Sequence, residues 1–375
     1  FLVSLSTGQI FGTSTYPVTW QMLLLPGNTF GLFINILTFL FTGMLIHRGR
    51  TTRMSTIVDT TPTPNWVFQL SHFLAIVKMQ IVLLLVVMLA GIIIQISKGY
   101  YHFEIGLYLK ELLTLKLIHY VIWALLAVFI HTLIKNYMLG FFMLLVLSIG
   151  INYLSAIGIE QTFLKFNSDS RYDYSDMNGY GSSLTLYLFY KLYWLLLGIV
   201  LFGISLLFYV RGVGKSLPQR FAEAKTRLNK KIVFPVLLSF IAFLALGFTA
   251  YYQNNVVEKY QSDKDLELQA VNWEKTYKKY QKTPQPRITD VKVNLDLFPK
   301  QRNLKAEGTY ILKNKTQKNI DTLFVNYSLK TKLSFSTKNK LVLKDTLNEI
   351  EIYKLEQPIK PGDSIQMRFE VSNKP

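Results

Sequence analysis

The chain has 375 residues, a formal net charge of +18 and no cysteine, and half of its residues are hydrophobic. The absence of cysteine excludes disulfides and thiolate metal sites. Mean hydropathy is +0.25, because the apolar residues are concentrated in long blocks. Most basic residues of the first two-thirds lie at the ends of those blocks, so membrane topology explains the charge better than nucleic-acid binding does. No nucleic-acid partner is expected.

Six apolar segments have about the length that a helix needs to cross the hydrocarbon of a bilayer, roughly 20 residues. They are residues 29–46, 79–96, 117–134, 137–159, 184–210 and 232–251. Within lipid every backbone polar group must be satisfied inside the segment, which favours helices over open strands. The sequence therefore predicts an α-helical polytopic membrane bundle of six spans.

The distribution of Lys and Arg between the spans predicts the orientation of this bundle. Arg48, Arg50 and Arg53 follow the first span, Lys135 follows the third, and seven basic residues lie in 211–231 after the fifth. By contrast, the first 30 residues contain no basic residue. The positive-inside rule places the basic connections in the cytoplasm. The protein is thus predicted to be a multi-pass inner-membrane protein whose C-terminal part is extracytoplasmic, in the periplasm.

Three polar residues inside the spans, Lys191, His119 and His131, are candidates for a function. Lys191 is expected to extend its ammonium group to the outer headgroups beside neighbouring tyrosines, and a role in an ion pathway is the alternative. His119 and His131 are twelve residues apart and point to different sides of one helix. They are therefore not expected to form a metal site.

The connection after the first span begins with basic residues, continues through a short helix-compatible stretch to Asp59, and then contains Pro62 and Pro64. These prolines stop a helix before Trp66. Residues 66–78 form an amphipathic run that is expected to lie along the inner membrane surface. The connection is either a solvated linker or a coupling element that docks a cytoplasmic partner.

Residues 48–66 read Arg-x-Arg-x-x-Arg-Met-x-x-Ile-x-Asp-x-x-Pro-x-Pro-Asn-Trp. This pattern resembles the type-two ABC export permeases, and especially the long Bacteroidetes proteins in which such a permease is fused to an aminopeptidase N-like zinc metallopeptidase. The resemblance continues through residues 99–112 and covers essentially the whole chain. It implies a separate cytoplasmic ABC ATPase as partner, the lipid bilayer as surroundings, and a second permease half or a homodimer. The residues facing the ATPase would be Arg48, Arg50, Arg53, Asp59, Pro62, Pro64 and Trp66.

The same resemblance suggests a division of the chain, which is expected to be a fragment. Residues 1–28 would be the outer end of a truncated first span, of which residues 1–5 are the tail, followed by an external loop. Residues 29–231 would be the permease transmembrane domain with cytoplasmic loops 47–78 and 211–231, and residues 232–252 the last span. Residues 101–116 are expected to form either an amphipathic helix on the outer surface or an ordinary loop. Residues 212–216 imitate the end of a phosphate-binding loop but lack its first glycine and its preceding strand, so no nucleotide is expected to bind there.

After the last span the pattern changes twice. Leu266, Ala270, Trp273, Tyr277 and Tyr280 fall on one helical stripe, which predicts a helical stalk at 253–285 that packs on the outer module or on a neighbouring helix. From residue 288 the apolar residues alternate with polar ones, which predicts strands. Strands are expected at 288–297, 304–312, 320–325, 341–344, 349–355 and 364–371, with turns at 299–303 and 360–363. Residues 286–375 are therefore predicted to form an incomplete extracytoplasmic all-β sandwich or saddle domain.

This β-patterned part resembles the opening of the amino-terminal β domain of aminopeptidase N-like enzymes, on the residues 286–297, 308–310 and 358–363. The zinc of those enzymes is bound in a later domain, so zinc is expected only downstream, and no catalytic, cofactor or metal residue is assigned in this sequence. The predicted function is the permease subunit of an ABC exporter with a tethered extracytoplasmic metallopeptidase. Two alternatives remain open: a membrane anchor that displays a peptidase without transport, and a membrane sensor with an outer ligand-binding β domain.

Overall fold

The computed structural model describes residues 9–10, 13–14, 16–24, 29–211, 217–298, 303–327 and 331–373. The predicted span tail at 1–5, the glycine-rich segment 212–216 and most of the predicted turn 299–303 lie outside these residues. The chain divides into two compact units, Phe1–Tyr260 and Gln261–Pro375. This boundary falls inside the predicted stalk 253–285.

In the part of the first unit that the structure describes, six helices are long and apolar enough to cross a membrane. They are α1 (Thr29–Thr51), α2 (Asn65–Ser97), α3 (Leu117–Leu133), α4 (Tyr137–Gly150, extended by the 3-10 turn Ile151–Ile157), α5 (Ser183–Phe208) and α6 (Lys230–Tyr252, extended by the π-helical turn Gln253–Val257). Shorter helices are Thr19–Leu24, Ser55–Val58 and Leu217–Thr226. The prediction of six long apolar helices is confirmed, with changed bounds.

The amphipathic run predicted at 66–78 is not a separate element of the structure. Pro64 is extended and forms the N-cap of α2, which then continues without a break for 33 residues. Proline fits the start of a helix because its missing amide would have no partner there. Since α1 also extends to Thr51, the connection between these helices spans only residues 52–64, not 47–78.

Of the two expectations for 101–116, the loop is wrong: the chain is helical from Ile105, although this helix is not separate from the third span. The helix Ile105–Lys110 continues through the π-helical turn Glu111–Lys116 directly into α3. Together they form a 29-residue span. Glu111 is buried and accepts hydrogen bonds from two tyrosines that are more than 60 residues away in the chain. This charged residue therefore lies inside the bundle and not at its surface.

Three buried glutamines of α2 connect it to its neighbours. Gln69 Nε2 donates to Thr132 Oγ1 at 2.8 Å, Gln80 Nε2 donates to Thr38 Oγ1 at 3.0 Å, and Gln95 Nε2 donates to the Pro17 carbonyl at 2.9 Å. Such bonds hold helices together where apolar surroundings leave few other polar partners. The spacings of 11 and 15 residues place all three on one face of the helix.

Close packing around His131 brings α1, α3 and α4 together. The imidazole lies against Gly43 and Gly140, where an added Cβ would come within 2.6 Å of the ring in each case. His131 Nε2 lies 3.0 Å from the Phe39 carbonyl oxygen. A glycine is required at both positions because only its bare α-carbon leaves room for the ring. His119, by contrast, contacts Lys191, so the two histidines contact different partners.

The second unit begins with the helix α7 (Asp263–Tyr277) and continues with β-strands. The strands are β1 (Arg287–Phe298), β2 (Asn303–Lys313), β3 (Ile320–Asn326), β4 (Thr331–Phe335), β5 (Asn339–Asp345), β6 (Ile350–Ile359) and β7 (Ser364–Asn373). They form two antiparallel sheets, of order β1-β2-β7-β4 and β3-β6-β5. The predicted C-terminal β-sheet region is confirmed. The predicted turn 360–363 is confirmed as well, with Gly362 at φ +90°.

One hydrophobic core joins the two sheets. It includes Leu312 of β2 and Met367 of β7 from one sheet, and Leu323 of β3 and Leu355 of β6 from the other. The two sheets therefore share one core, as expected for sheets that pack face to face. Strand β4 was not expected from the sequence; it is only five residues long and pairs with β7 at the sheet edge.

The helix α7 packs on the smaller sheet through its C-terminal end, and Gln269 in its middle donates to the Leu347 carbonyl of the β5–β6 turn at 3.1 Å. Tyr277 is buried against Ile350 and Ile352, and its hydroxyl donates to Asp345 Oδ2 at 2.6 Å. Hydrogen bonds from Asn348, and then from Tyr277, lower the pKa of Asp345 to about 2. The predicted packing of the stalk on the β module is confirmed for Tyr277, whereas Leu266 and Trp273 of the same stripe are exposed.

Candidate functional site

The connection between α1 and α2 is compact and contains the short helix Ser55–Val58. Arg53 adopts a positive φ of 57°, the short helix Ser55–Val58 follows, and the Asp59 amide donates to the Ser55 carbonyl at 2.8 Å. Extended Pro64 then begins α2. We call residues 48–66, which include the last residues of α1 and the first two of α2, the α1–α2 connection.

The structure places the sequence-predicted site residues together on this connection. Arg48, Arg50, Arg53, Pro62, Pro64 and Trp66 are exposed, and Asp59 is partly buried. Trp66 keeps 51% of its surface exposed. Exposed guanidinium groups and an exposed indole are the residue types that protein interfaces prefer for anchoring contacts.

The α1–α2 connection is fastened to the end of α5. Arg50 Nη2 donates to the Val210 carbonyl at 3.3 Å, and Arg211 Nη2 donates to the Thr61 carbonyl at 3.3 Å. The guanidinium of Arg211 also lies 4.9 Å from the centre of the Phe68 ring and 4.0 Å from Asp59 Oδ1. The basic residues after α1 and those after α5 therefore lie at the same end of the bundle.

Arg220 and Arg227 cap the ends of two helices, which sequence reasoning missed. Arg220 Nη1 donates to the carbonyls of Thr132 and Leu133 at 3.3 and 3.1 Å, at the end of α3. Arg227 Nη1 donates to the Leu207 carbonyl at 3.0 Å, at the end of α5. Carbonyls at a helix C-terminus lack intrahelical partners and carry negative partial charge. These arginines thus stabilise two helix ends in addition to contributing to the charge that predicts topology. No local spacing in the sequence indicates which carbonyls they bind.

The end of the bundle that carries Arg50, Arg211 and Arg220 is called the basic end. The opposite end contains a buried ion pair. Lys191 has no exposed surface, and its Nζ lies 2.6 Å from Asp169 Oδ2. The same ammonium donates to Asn167 Oδ1 and the Asn167 carbonyl at 3.0 and 3.1 Å. The expectation that Lys191 reaches outward to the headgroups is therefore wrong, because the Asp169 carboxylate of the α4–α5 connection provides a nearer partner.

A cluster of aromatic hydroxyls surrounds Glu111 at this opposite end. Tyr172 and Tyr180 donate to its two carboxylate oxygens at 2.7 and 2.8 Å. Burial, followed by the charge of Glu111, raises the pKa of Tyr172. Burial, followed by the hydrogen bond to Glu111, raises the pKa of Tyr180. Both phenols stay protonated as donors, which fits a structural role in holding the α4–α5 connection on the bundle.

No group of three or more His, Asp or Glu residues with metal-binding geometry is found among the described residues. His47, His72 and His131 do line one cavity at the basic end, but the rings of His47 and His131 are 6.3 Å apart, centre to centre, and nearly perpendicular. The residues therefore do not assemble a metal centre there. Comparison with known proteins gives no match: no family model, no curated protein and no solved structure is similar to this chain.

Proposed function

We propose that α1 to α6 are embedded in a membrane, with the basic end in the cytoplasm and the residues after α6 on the extracytoplasmic side. Large apolar side chains stay exposed along α4 and α6, among them Val146, Phe234 and Phe248 at 68–69% exposure. These side chains would be covered by lipid tails, by a second permease half or by a second copy of this chain. The basic connections all lie at one end, which supports the orientation through the positive-inside rule.

The natural absence of cysteine allows a clean test of this topology. A single Lys315→Cys variant is expected to react with a membrane-impermeant maleimide on intact cells, because Lys315 is exposed in the β module. A single Lys225→Cys variant is expected to react only after the cells are opened. The reverse pattern of labelling would contradict the proposed orientation.

We further propose that the chain is the permease subunit of an ATP-driven exporter, and that a separate cytoplasmic ATPase docks on the α1–α2 connection. The observation that carries this proposal is the fastening of an exposed basic and aromatic connection to a second helix end through Arg50 and Arg211. A force applied to the connection would reach α1, α2 and α5 together. A connection that is hydrogen-bonded to a second helix end can move α1, α2 and α5 as one rigid body.

Charge reversal tests the docking surface. The triple variant Arg48→Glu, Arg50→Glu and Arg53→Glu is compared with Lys225→Glu, Lys230→Glu and Lys231→Glu, which reverses three exposed charges at the same end outside the connection. Both variants change net charge equally. The tagged chain is purified from membranes of its own cells, and ATP hydrolysis in the eluate is measured per mole of chain.

The first variant is expected to lose the associated ATPase activity and the second to retain it. Equal retention by both variants would refute docking on the connection, and equal loss would show that the total charge of this end matters and not the connection. Membrane insertion is checked for both variants with the Lys315→Cys label described above, because Lys225 is itself changed in the second variant.

The resemblance also supports a proposal that the β module belongs to a tethered zinc metallopeptidase. Its zinc ligands would lie in sequence after Pro375, and zinc content with aminopeptidase activity of the full-length protein would test this. Peptidase activity measured together with the ATP hydrolysis described above separates an exporter from an anchor, because an anchor would show peptidase activity without an associated ATPase.

One observation favours the sensor alternative. A groove of about 620 Å³ lies between α7 and the smaller sheet, lined by Trp273, Tyr277, Tyr280 and Phe324. Clefts with aromatic walls and a few polar groups are typical of small-molecule sites. A sensor would bind a ligand here with no ATPase attached, and thermal unfolding of the full chain with a library of aromatic small molecules would detect it.

A further inference from the structure

A cavity of about 560 Å³ lies at the basic end beneath the α1–α2 connection. The ends of α1, α3 and α5, the first turns of α2 and the helix Leu217–Thr226 surround it. Arg48, Arg50 and Arg220 line it, whereas Asp59 is the one acidic residue among the described residues of its lining. Asp59 already faces Arg211 at 4.0 Å. The cavity therefore carries an excess of positive charge.

Several groups in this lining keep donor or acceptor capacity unused, and Arg220 and His47 are two of them. Arg220 is 2% exposed, and in the described part of the chain no hydrogen-bond partner reaches its Nε. His47 is 6% exposed, and its Nε2 likewise lacks a partner there. A buried polar atom without a partner costs free energy, so native proteins rarely leave one without a ligand or water.

The guanidinium of Arg220 cannot escape this cost by losing its proton. Burial, followed by the nearby charge of Arg50, lowers its pKa, but an arginine remains charged in proteins. Its two bonds to the end of α3 satisfy Nη1 only. An anion that faces Nε would supply the missing partner and the missing countercharge at once.

We propose that this cavity binds a phosphate-type oxyanion, held by Arg220 and His47 inside and by Arg48 and Arg50 at its mouth. Three guanidinium groups suit the several oxygens and the multiple charge of a phosphate better than a single carboxylate. The phosphate belongs either to the headgroup of an anionic phospholipid or to a soluble phosphate compound. Basic pockets at the cytoplasmic ends of membrane helices are known to suit such headgroups. The anion would bind whether or not an ATPase docks on the connection.

The full chain, purified in a neutral detergent, is unfolded thermally while its tryptophan fluorescence is recorded. In one arm, inorganic phosphate is titrated at constant ionic strength against chloride. In the other arm, nanodiscs of phosphatidylcholine alone are compared with nanodiscs of equimolar phosphatidylcholine and phosphatidylglycerol. A rise of Tm with phosphate in detergent identifies a soluble anion, and a rise only with phosphatidylglycerol identifies a lipid headgroup. No rise in either arm overturns the proposal.

Variants locate the site. Arg220→Gln is expected to weaken binding, so that the half-saturating phosphate concentration rises roughly tenfold to a hundredfold, the range for one charged hydrogen bond. Because this change also removes bonds to the end of α3, Arg48→Gln is a second variant that leaves the buried packing intact, with an expected loss of about threefold. Lys225→Gln, which removes an exposed charge from the same helix as Arg220 without lining the cavity, is the matched control and should respond like wild type. An equal weakening by Lys225→Gln would show diffuse surface charge and refute the site.

Discussion

Replacing Asp169 with asparagine is expected to destabilise the helical unit more than replacing its partner Lys191 with methionine. Lys191 is fully buried, whereas the Asp169 side chain keeps 34% of its surface exposed. The Asp169→Asn change therefore strands an ammonium group in the interior. The Lys191→Met change strands only a carboxylate that still reaches water.

The structure sets the magnitudes. Removal of one partner from a buried ion pair costs about 3–5 kcal/mol when the remaining charge stays buried, whereas apolar replacement of both partners together is often nearly neutral. Since Asp169 is about one-third exposed, solvent screening reduces its contribution, and a loss of about 2–3 kcal/mol is expected for Asp169→Asn. Lys191→Met should cost about 1 kcal/mol or less, because its alkyl chain is already buried. Asn167 loses its donor in that variant but retains its own bond to the His119 carbonyl at 2.9 Å.

A double-mutant cycle in detergent provides the assay. Thermal unfolding is followed by tryptophan fluorescence, and Asp169→Asn should lower Tm by about 4–12 °C, given roughly 2–4 °C per kcal/mol for a unit of this size. The double variant should resemble Lys191→Met alone, because the stranded charge is then absent. Equal losses from the two single variants, or a double variant less stable than Asp169→Asn, would refute the reasoning.

Two further predictions concern packing and pH. Gly43→Ala should cost about 1–3 kcal/mol by overpacking against His131. Gly106→Ala should leave thermal unfolding unchanged, because the added Cβ meets no atom within 4 Å. Equal effects of the two substitutions on Tm would contradict the packing argument. Tyr277→Phe should destabilise the second unit by about 1 kcal/mol at neutral pH, because it removes the bond to Asp345. The pKa of Asp345 is held at about 2, below 3.8, so its stabilisation is present above pH 3.8 and is lost as pH falls toward 2. The difference between wild type and Tyr277→Phe, measured by thermal unfolding, should therefore shrink in acid, and a constant difference would exclude the pair.

Helix length and apolar content were enough to predict six long helices, because a segment in lipid must satisfy its backbone internally. The bounds were less accurate where polar residues occur inside a helix. The segments 66–78 and 101–116, which were expected at the membrane surface, contain Gln69 and Glu111, yet both residues are buried. Gln69 bonds to Thr132 of α3, and Glu111 bonds to Tyr180 of the α4–α5 connection. In the β module, alternation predicted six of the described strands. It missed Thr331–Phe335, whose pairing with β7 depends on a strand some 30 residues later.

The predicted coupling residues share one exposed connection because they are close together in the chain. The chain by itself determined this, together with the order of spans and the alternating strands, since periodicity and composition are local properties. The partners of Lys191 and Arg220 were decided only by tertiary structure. Arg220 donates to a carbonyl 87 residues away, and Lys191 pairs with a carboxylate on another connection. Which buried charge meets which partner depends on how helices pack, and packing brings together residues whose separation in sequence carries no information about their contact.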